Sequence, residues 1–286
     1  MTSNVYELDF QVVEGWGKLP QDVKLGQVPG LTVDAQDRVY ILNRGNPPLI
    51  ILDRDGNIVA GWGEDVLQDP HGISVGPDGR IYVADRDGQV VVRFNSGGSL
   101  ELTIGTRGRA SPEQSGIPFN RPTGVALSTD GEIYVSDGYG NSRVHKYAPD
   151  GSLIFSWGGQ GIHPGQFNLP HGICVDGDDR VYVADRENNR IQLFNEEGDY
   201  IKAWGGLLRP TDVAVDAEGN IYASELGERV SVLDYGGKVL ARWGGGPSHE
   251  PGKFVAPHGI SVDSRGDVYI SEVNIGKRFQ KFFRNS

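Results

Sequence analysis

The chain is predicted to be all-β, a single six-bladed propeller, and three observations predict it. One motif recurs six times along 286 residues, glycine is abundant at 42 residues, and no stretch shows a 3.6-residue apolar period. The six copies are VPGLTVDAQDRVYILNR from Val28, DPHGISVGPDGRIYVADR from Asp69, RPTGVALSTDGEIYVSDG from Arg121, LPHGICVDGDDRVYVADR from Leu169, RPTDVAVDAEGNIYASEL from Arg209 and APHGISVDSRGDVYISEV from Ala256. Their prolines at 29, 70, 122, 170, 210 and 257 are 41, 52, 48, 40 and 47 residues apart, the spacing of propeller blades.

Each copy reads as four strands. A short apolar run such as Gly72 to Val75 comes first, and a turn such as Pro77-Asp78-Gly79 reverses the chain. An alternating strand such as Arg80 to Asp85 follows, then a third like Arg190 to Phe194. A second turn leads to a fourth strand ending in Trp-Gly. All five tryptophans, Trp16, Trp62, Trp157, Trp204 and Trp243, precede a glycine, and blade two has Ile104-Gly105 in that slot. They are expected to pack between blades rather than to form a ligand cage. Copy six stops at Phe282-Phe283-Arg284 without a fourth strand, while a strand over about residues 6–17 stands alone at the other end. Pairing that N-terminal strand with blade six, residues 256–286, closes the ring and removes two sheet edges, so residues 1–286 form one domain.

Composition excludes several classes. Lys and Arg number 27 against 38 Asp and Glu, a net charge of −11, which argues against a nucleic-acid partner. No apolar run approaches the roughly 20 residues that span a bilayer, so no membrane association is expected. The N-terminal MTSNVYELDF has neither the basic nor the apolar region of a secretory signal. With Cys174 alone, no internal disulfide can form, and a cytoplasmic location is expected. A ring with protected edges has little need to associate, so a monomer is expected.

Aligned positions expose the chemistry. Before the Gly-Ile of the first strand, the copies carry Pro29, His71, Thr123, His171, Thr211 and His258. Histidine occupies blades two, four and six, which lie 120° apart around a six-fold ring. Three imidazoles then converge on the axis, a facial site with an open fourth position suited to zinc or another divalent transition metal. His145, His163 and His249 fall in outer strands or loops and are expected to be solvated. Because strand two returns antiparallel to strand one, its last residues share the histidine rim: Arg44, Arg86, Gly138 with Tyr139, Arg186, Leu226 and Val273. Arg44, Arg86 and Arg186 suggest a small anionic substrate, most simply a carboxylate. The alternative is that each arginine pairs with an adjacent acid such as Asp85, Asp87 or Glu187. Asp85, Asp137 and Asp185 recur in the motif and are read as structural, as are Arg143 and Arg190.

The repeats resemble NHL repeats, and over almost the whole chain the sequence resembles the peptidyl-α-hydroxyglycine α-amidating lyase family. The likeness rests on Asn43-Arg44-Gly45, the three Pro-His-Gly-Ile motifs, Ser136 to Arg143 (SDGYGNSR) and Ala184-Asp185-Arg186-Glu187-Asn188. It implies zinc on His71, His171 and His258, a catalytic Tyr139, and two catalytic arginines, Arg44 and Arg186. The implied reaction divides an N-acyl-α-hydroxyglycine into an amide and glyoxylate. The family's disulfide cysteines map to Gly140 and Leu193, and are absent here. Its calcium would use the backbone carbonyls of Leu31 and Ile73 with an aspartate directly after the third histidine; Gly259 stands there, which argues against calcium. A small hemiaminal acid is the expected substrate rather than a peptide. A metal-dependent hydrolase or lactonase on the same scaffold, and a non-catalytic NHL protein-binding module, are the alternatives.

Overall fold

The computed structural model describes residues 7–285. Six four-stranded antiparallel sheets radiate from one axis, each built from consecutive strands except the last. The inner strands are Leu31–Val33, Pro70–Val75, Gly124–Leu127, Pro170–Val175, Pro210–Val215 and Pro257–Val262. Leu31–Val33 touches both Pro70–Val75 and Pro257–Val262, which closes the ring. Helix is confined, among the described residues, to one 3₁₀ turn at Arg186–Asn188. None of the described helices is long and apolar enough to cross a membrane.

Blade six pairs Arg278–Asn285 with Asp9–Val12, in register from Asp9↔Asn285 to Val12↔Phe282, so the N-terminal strand closes the ring. That strand is shorter than the expected span of residues 6–17, and residue 6 lies outside the described residues. The ladder ends because the chain turns at Glu14-Gly15, with φ of 72° at Gly15. Trp16 therefore sits past the strand and packs on Tyr269 and Phe279 of blade six, with centroids 5.1 and 5.8 Å away.

The core lies between blades, since a sheet with two apolar faces must bury both. Trp62 packs on Phe94, Trp157 on Phe194 and Trp243 on Phe282, each from the following blade, at centroid distances of 4.8, 5.8 and 5.4 Å. Every second strand also buries a tyrosine: Tyr40, Tyr82, Tyr134, Tyr182, Tyr222 and Tyr269.

A second ring of buried polar groups ties each blade to the loop that enters it. Asp85 accepts the backbone N–H groups of Gln68 and Asp69 at 2.9 and 2.8 Å. Asp137 does so for Asn120 and Asp185 for Asn168, at 3.0 and 2.7 Å. Glu225 and Glu272 occupy the same place in blades five and six, and Asn43 in blade one. These side chains are fully buried, and their hydrogen bonds repay the desolvation. The structural reading of Asp85, Asp137 and Asp185 holds. Arg190 completes the blade-four cluster by donating to Asp185 at 2.7 Å.

Candidate metal centre

His71, His171 and His258 open three alternate inner strands, and the ring brings their imidazoles together. Centroids are 4.8 Å apart for His71–His171, 5.0 Å for His71–His258 and 4.7 Å for His171–His258. All three are buried. Each Nδ1 lies against a main-chain carbonyl of the blade in between: Thr123 at 2.7 Å, Thr211 at 2.6 Å and Pro29 at 2.5 Å. A carbonyl can only accept, so each Nδ1 carries the proton and each Nε2 keeps its lone pair.

This is the outer-sphere arrangement that metal-binding histidines use to fix their tautomer. One ligand nitrogen from each histidine lies within 4.8 Å of the other two. Nitrogens on a shared zinc are about 3.3 Å apart, so closing the site takes an adjustment of at most about 1.5 Å. Burial, then the neighbouring histidines and arginines, holds His71 and His171 far below the ordinary imidazole range. Burial lowers His258 to about 3. All three are neutral at pH 7, with no proton for a cation to displace. The residues present fit a borderline divalent metal.

Tyr139 covers this cluster. Its hydroxyl is 3.2 Å from His71 Nε2 and 3.3 Å from His171 Nε2. Arg86 and Arg186 flank its ring, with Cζ 5.6 and 5.7 Å from the centroid. Arg44 approaches from blade one, where its Nε is 2.5 Å from Asp69 Oδ1. Arg86 Nη2 is 2.5 Å from Asp69 Oδ2, so one carboxylate serves two guanidinium groups. Burial pushes Asp69 up and Arg44 down, each opposed by the other's charge. His71, His171, His258, Tyr139, Arg86 and Arg186 thus meet at one cluster, and Arg44 joins it through the Asp69 carboxylate that it shares with Arg86.

Adjacent acids also pair with the arginines. Arg86 Nε donates to Asp87 at 3.0 Å and Arg186 Nε to Glu187 at 2.9 Å. Asp85 does not join them, being committed to the loop above it. His145, expected to be solvated, is instead fully buried in blade three. Its Nδ1 meets Ser156 Oγ at 2.7 Å and its Nε2 meets Asp137 at 3.3 Å. Gln192 fills the same place beneath Asp185, so the position exists to satisfy the buried acid. His163 and His249 are exposed as expected.

Sequence reasoning missed Asp69 and the three carbonyl acceptors. It also missed Asp212, which stands in blade five where the other five inner strands have glycine (Gly30, Gly72, Gly124, Gly172 and Gly259). That column was the available signal. Asp212 lines the axial channel that Leu31 and Ile73 also line, and accepts the N–H groups of Val213 and Ile260 at 2.9 and 3.2 Å.

Comparison with known proteins adds a lineage. The NHL repeat model matches residues 67–94, 119–147 and 167–194. The sequence is 29% identical to NHL repeat-containing protein 3 of Homo sapiens, over 97% of this chain and 84% of that protein. It is 28% identical to peptidyl-alpha-hydroxyglycine alpha-amidating lyase 1 of Drosophila melanogaster, over 93% of this chain and 58% of that one. The solved structure of a streptogramin B lyase superposes with a TM-score of 0.67, covering 99% of this chain and 100% of the other at 14% identity, a likeness of fold.

Proposed function

The chain is a six-bladed propeller of NHL repeats with amidating lyases among its relatives, and from that premise we propose that it is a metal-dependent C–N lyase. Its substrate is a small carboxylated N-acyl hemiaminal, α-hydroxyglycine-like, and its products are an amide and glyoxylate. One observation carries this reading: three histidines with locked tautomers present unprotonated Nε2 atoms beneath a tyrosine hydroxyl. His71, His171 and His258 would hold zinc or another divalent transition metal, which when bound supplies Lewis acidity toward the substrate hydroxyl oxygen.

Tyr139 Oη takes the proton of that hydroxyl as general base. The O–H electron pair becomes the second C–O bond of the aldehyde, and the C–N bond breaks with its pair on nitrogen. Tyr139 returns the proton to that nitrogen, so atoms and electrons balance with no oxidant. Arg44 and Arg186 anchor the carboxylate and hold the scissile bond near Tyr139. Calcium on the Leu31 and Ile73 carbonyls forms no part of the reading. A reducing cytoplasm suits a chain whose lone cysteine has no partner, and a closed ring suits a monomer.

Tyr139→Phe should keep wild-type metal content by atomic absorption and slow glyoxylate release by about 10²–10⁴-fold. Undiminished activity would remove the tyrosine from the mechanism. Purified protein carrying less than about 0.3 metal ions per chain, when the site predicts one tightly held ion, would remove the metal. Lactone hydrolysis in place of glyoxylate release would move these residues to the hydrolase reading.

A further inference from the structure

The resemblance assigns Arg44 and Arg186 and leaves Arg86 without a part. Its guanidinium is not spare charge for a ligand, because Asp69 and Asp87 stand against Arg44 and Arg86. Arg86 Nε donates to Asp87 Oδ1 at 3.0 Å and Nη2 donates to Asp87 Oδ2 at 3.2 Å, a two-point fork. Nη2 also lies 2.5 Å from Asp69 Oδ2, and the Arg86 main-chain N–H donates to the Asp69 carbonyl at 3.0 Å. Two acids and the main chain thus hold the guanidinium in one place.

That place is beside Tyr139. Arg86 Cζ is 5.6 Å from the centre of the phenol ring, inside the roughly 6 Å over which a cation is drawn to an aromatic face. Arg186, tied to Glu187 through Nε at 2.9 Å, is 5.7 Å from the same centre. One arginine comes from the blade before Tyr139 and the other from the blade after it, so the ring is bracketed. The backbone on either side of Tyr139 is seated as well. Gly140 N–H donates to Asn120 O at 3.0 Å, and a Cβ on Gly138 would lie 1.8 Å from Pro170 O. Main chain alone does not aim the phenol, because the half-buried side chain still turns about χ1 and χ2. What stands beside the ring decides whether Oη stays 3.2 and 3.3 Å from Nε2 of His71 and His171.

We infer that Arg86 is a positioning residue for Tyr139: anchored by Asp69 and Asp87, it keeps the phenol ring in the setting that holds Oη against the histidines. The step it serves is the proton transfer of the lyase reading above, on which the kinetic part of the inference rests. A general base must stay within hydrogen-bond reach of the proton it takes, so a ring that swings away slows the chemistry without weakening substrate binding. Arginine suits the task and lysine does not. An ammonium carries the charge but cannot accept the two-point fork that fixes it beside the ring.

The test is Arg86→Lys, assayed as metal-loaded protein with N-acetyl-α-hydroxyglycine. Its kcat should fall about 10- to 100-fold, the range that a misplaced group costs, while KM and metal content keep their wild-type values. A kcat within about twofold of wild type would overturn the proposal, and so would a raised KM with kcat unchanged, which makes Arg86 a substrate-binding residue. A second readout needs no turnover. In protein labelled with 3-fluorotyrosine, the Tyr139 fluorine resonance is the one missing from Tyr139→Phe. It should lie away from that of the free amino acid in wild type and move toward it in Arg86→Lys; a resonance that stays in place refutes the positioning role. If wild type releases no glyoxylate, the lyase reading falls by itself and the fluorine resonance decides this inference. Should Arg86→Lys not fold, Asp87→Ala, at an exposed acid, removes the fork and should move the same resonance, and no movement there counts against the proposal.

Discussion

At the scale of single residues, the site is set by which nitrogen each histidine offers. The repeat places an imidazole at every second inner strand. The residues between, Pro29, Thr123 and Thr211, contribute their carbonyls rather than their side chains to it. Asp212 is the exception among residues in the channel. It is enclosed by protein, and burial pushes its carboxyl up to about 7. A carboxyl with a raised folded-state pKa binds more protons folded than unfolded, so stability falls as pH rises from about 4 to about 7 and is level above. In metal-depleted protein, Asp212→Asn should gain on wild type across that window, by at most about 4 kcal/mol at about 1.4 kcal/mol per pH unit. The orphaned N–H adds a fixed penalty of about 1–3 kcal/mol that does not vary with pH. Urea titrations at pH 5 and pH 8 that give parallel differences would refute the shift.

At the scale of strands, close approach decides which residues can follow the histidines. A Cβ added at Gly72 would lie 2.6 Å from Gly124 Cα and 2.7 Å from Thr123 O. The latter is the acceptor for His71 Nδ1, so Gly72→Ala pushes the strands apart and also disturbs the metal ligand. It should cost about 1–3 kcal/mol in denaturant unfolding. Metal affinity should drop about tenfold, as when an outer-sphere partner is lost. Wild-type affinity in this variant would show that strand spacing does not tune the site. Glycine after histidine was visible in the sequence, but its reason was not. Likewise Asp85 and Asp137 were read as structural from recurrence alone, and the burial of His145 under Asp137 follows from a cross-strand contact that no short-range pattern encodes.

At the scale of the whole molecule, closure depends on four residues from the N-terminal end, Asp9–Val12, held by Arg278–Asn285. Removing residues 1–17 exposes the edge of blade six and strips Phe10 from its stack on Trp243, with centroids 4.7 Å apart. The truncated chain should melt at least about 5 °C lower and associate at high concentration, because an unpaired edge strand invites pairing. An unchanged melting temperature and a monodisperse elution profile would show that blade six stands without its clasp.

The sequence alone determined the blade count, the identity of the closing strand, the column of histidines and the arc of arginines. In a repeat fold each of these is a residue at a fixed position in a copied unit, and the ring turns equivalent positions into spatial neighbours. Tertiary structure decided which nitrogens stay free, that Asp69 serves two arginines, that His145 is core, and that Asp212 enters the channel. The histidine locks join residues 52, 40 and 229 positions apart on different blades. Their distances are fixed by how tightly the ring packs, a property of the closed assembly that no single copy contains.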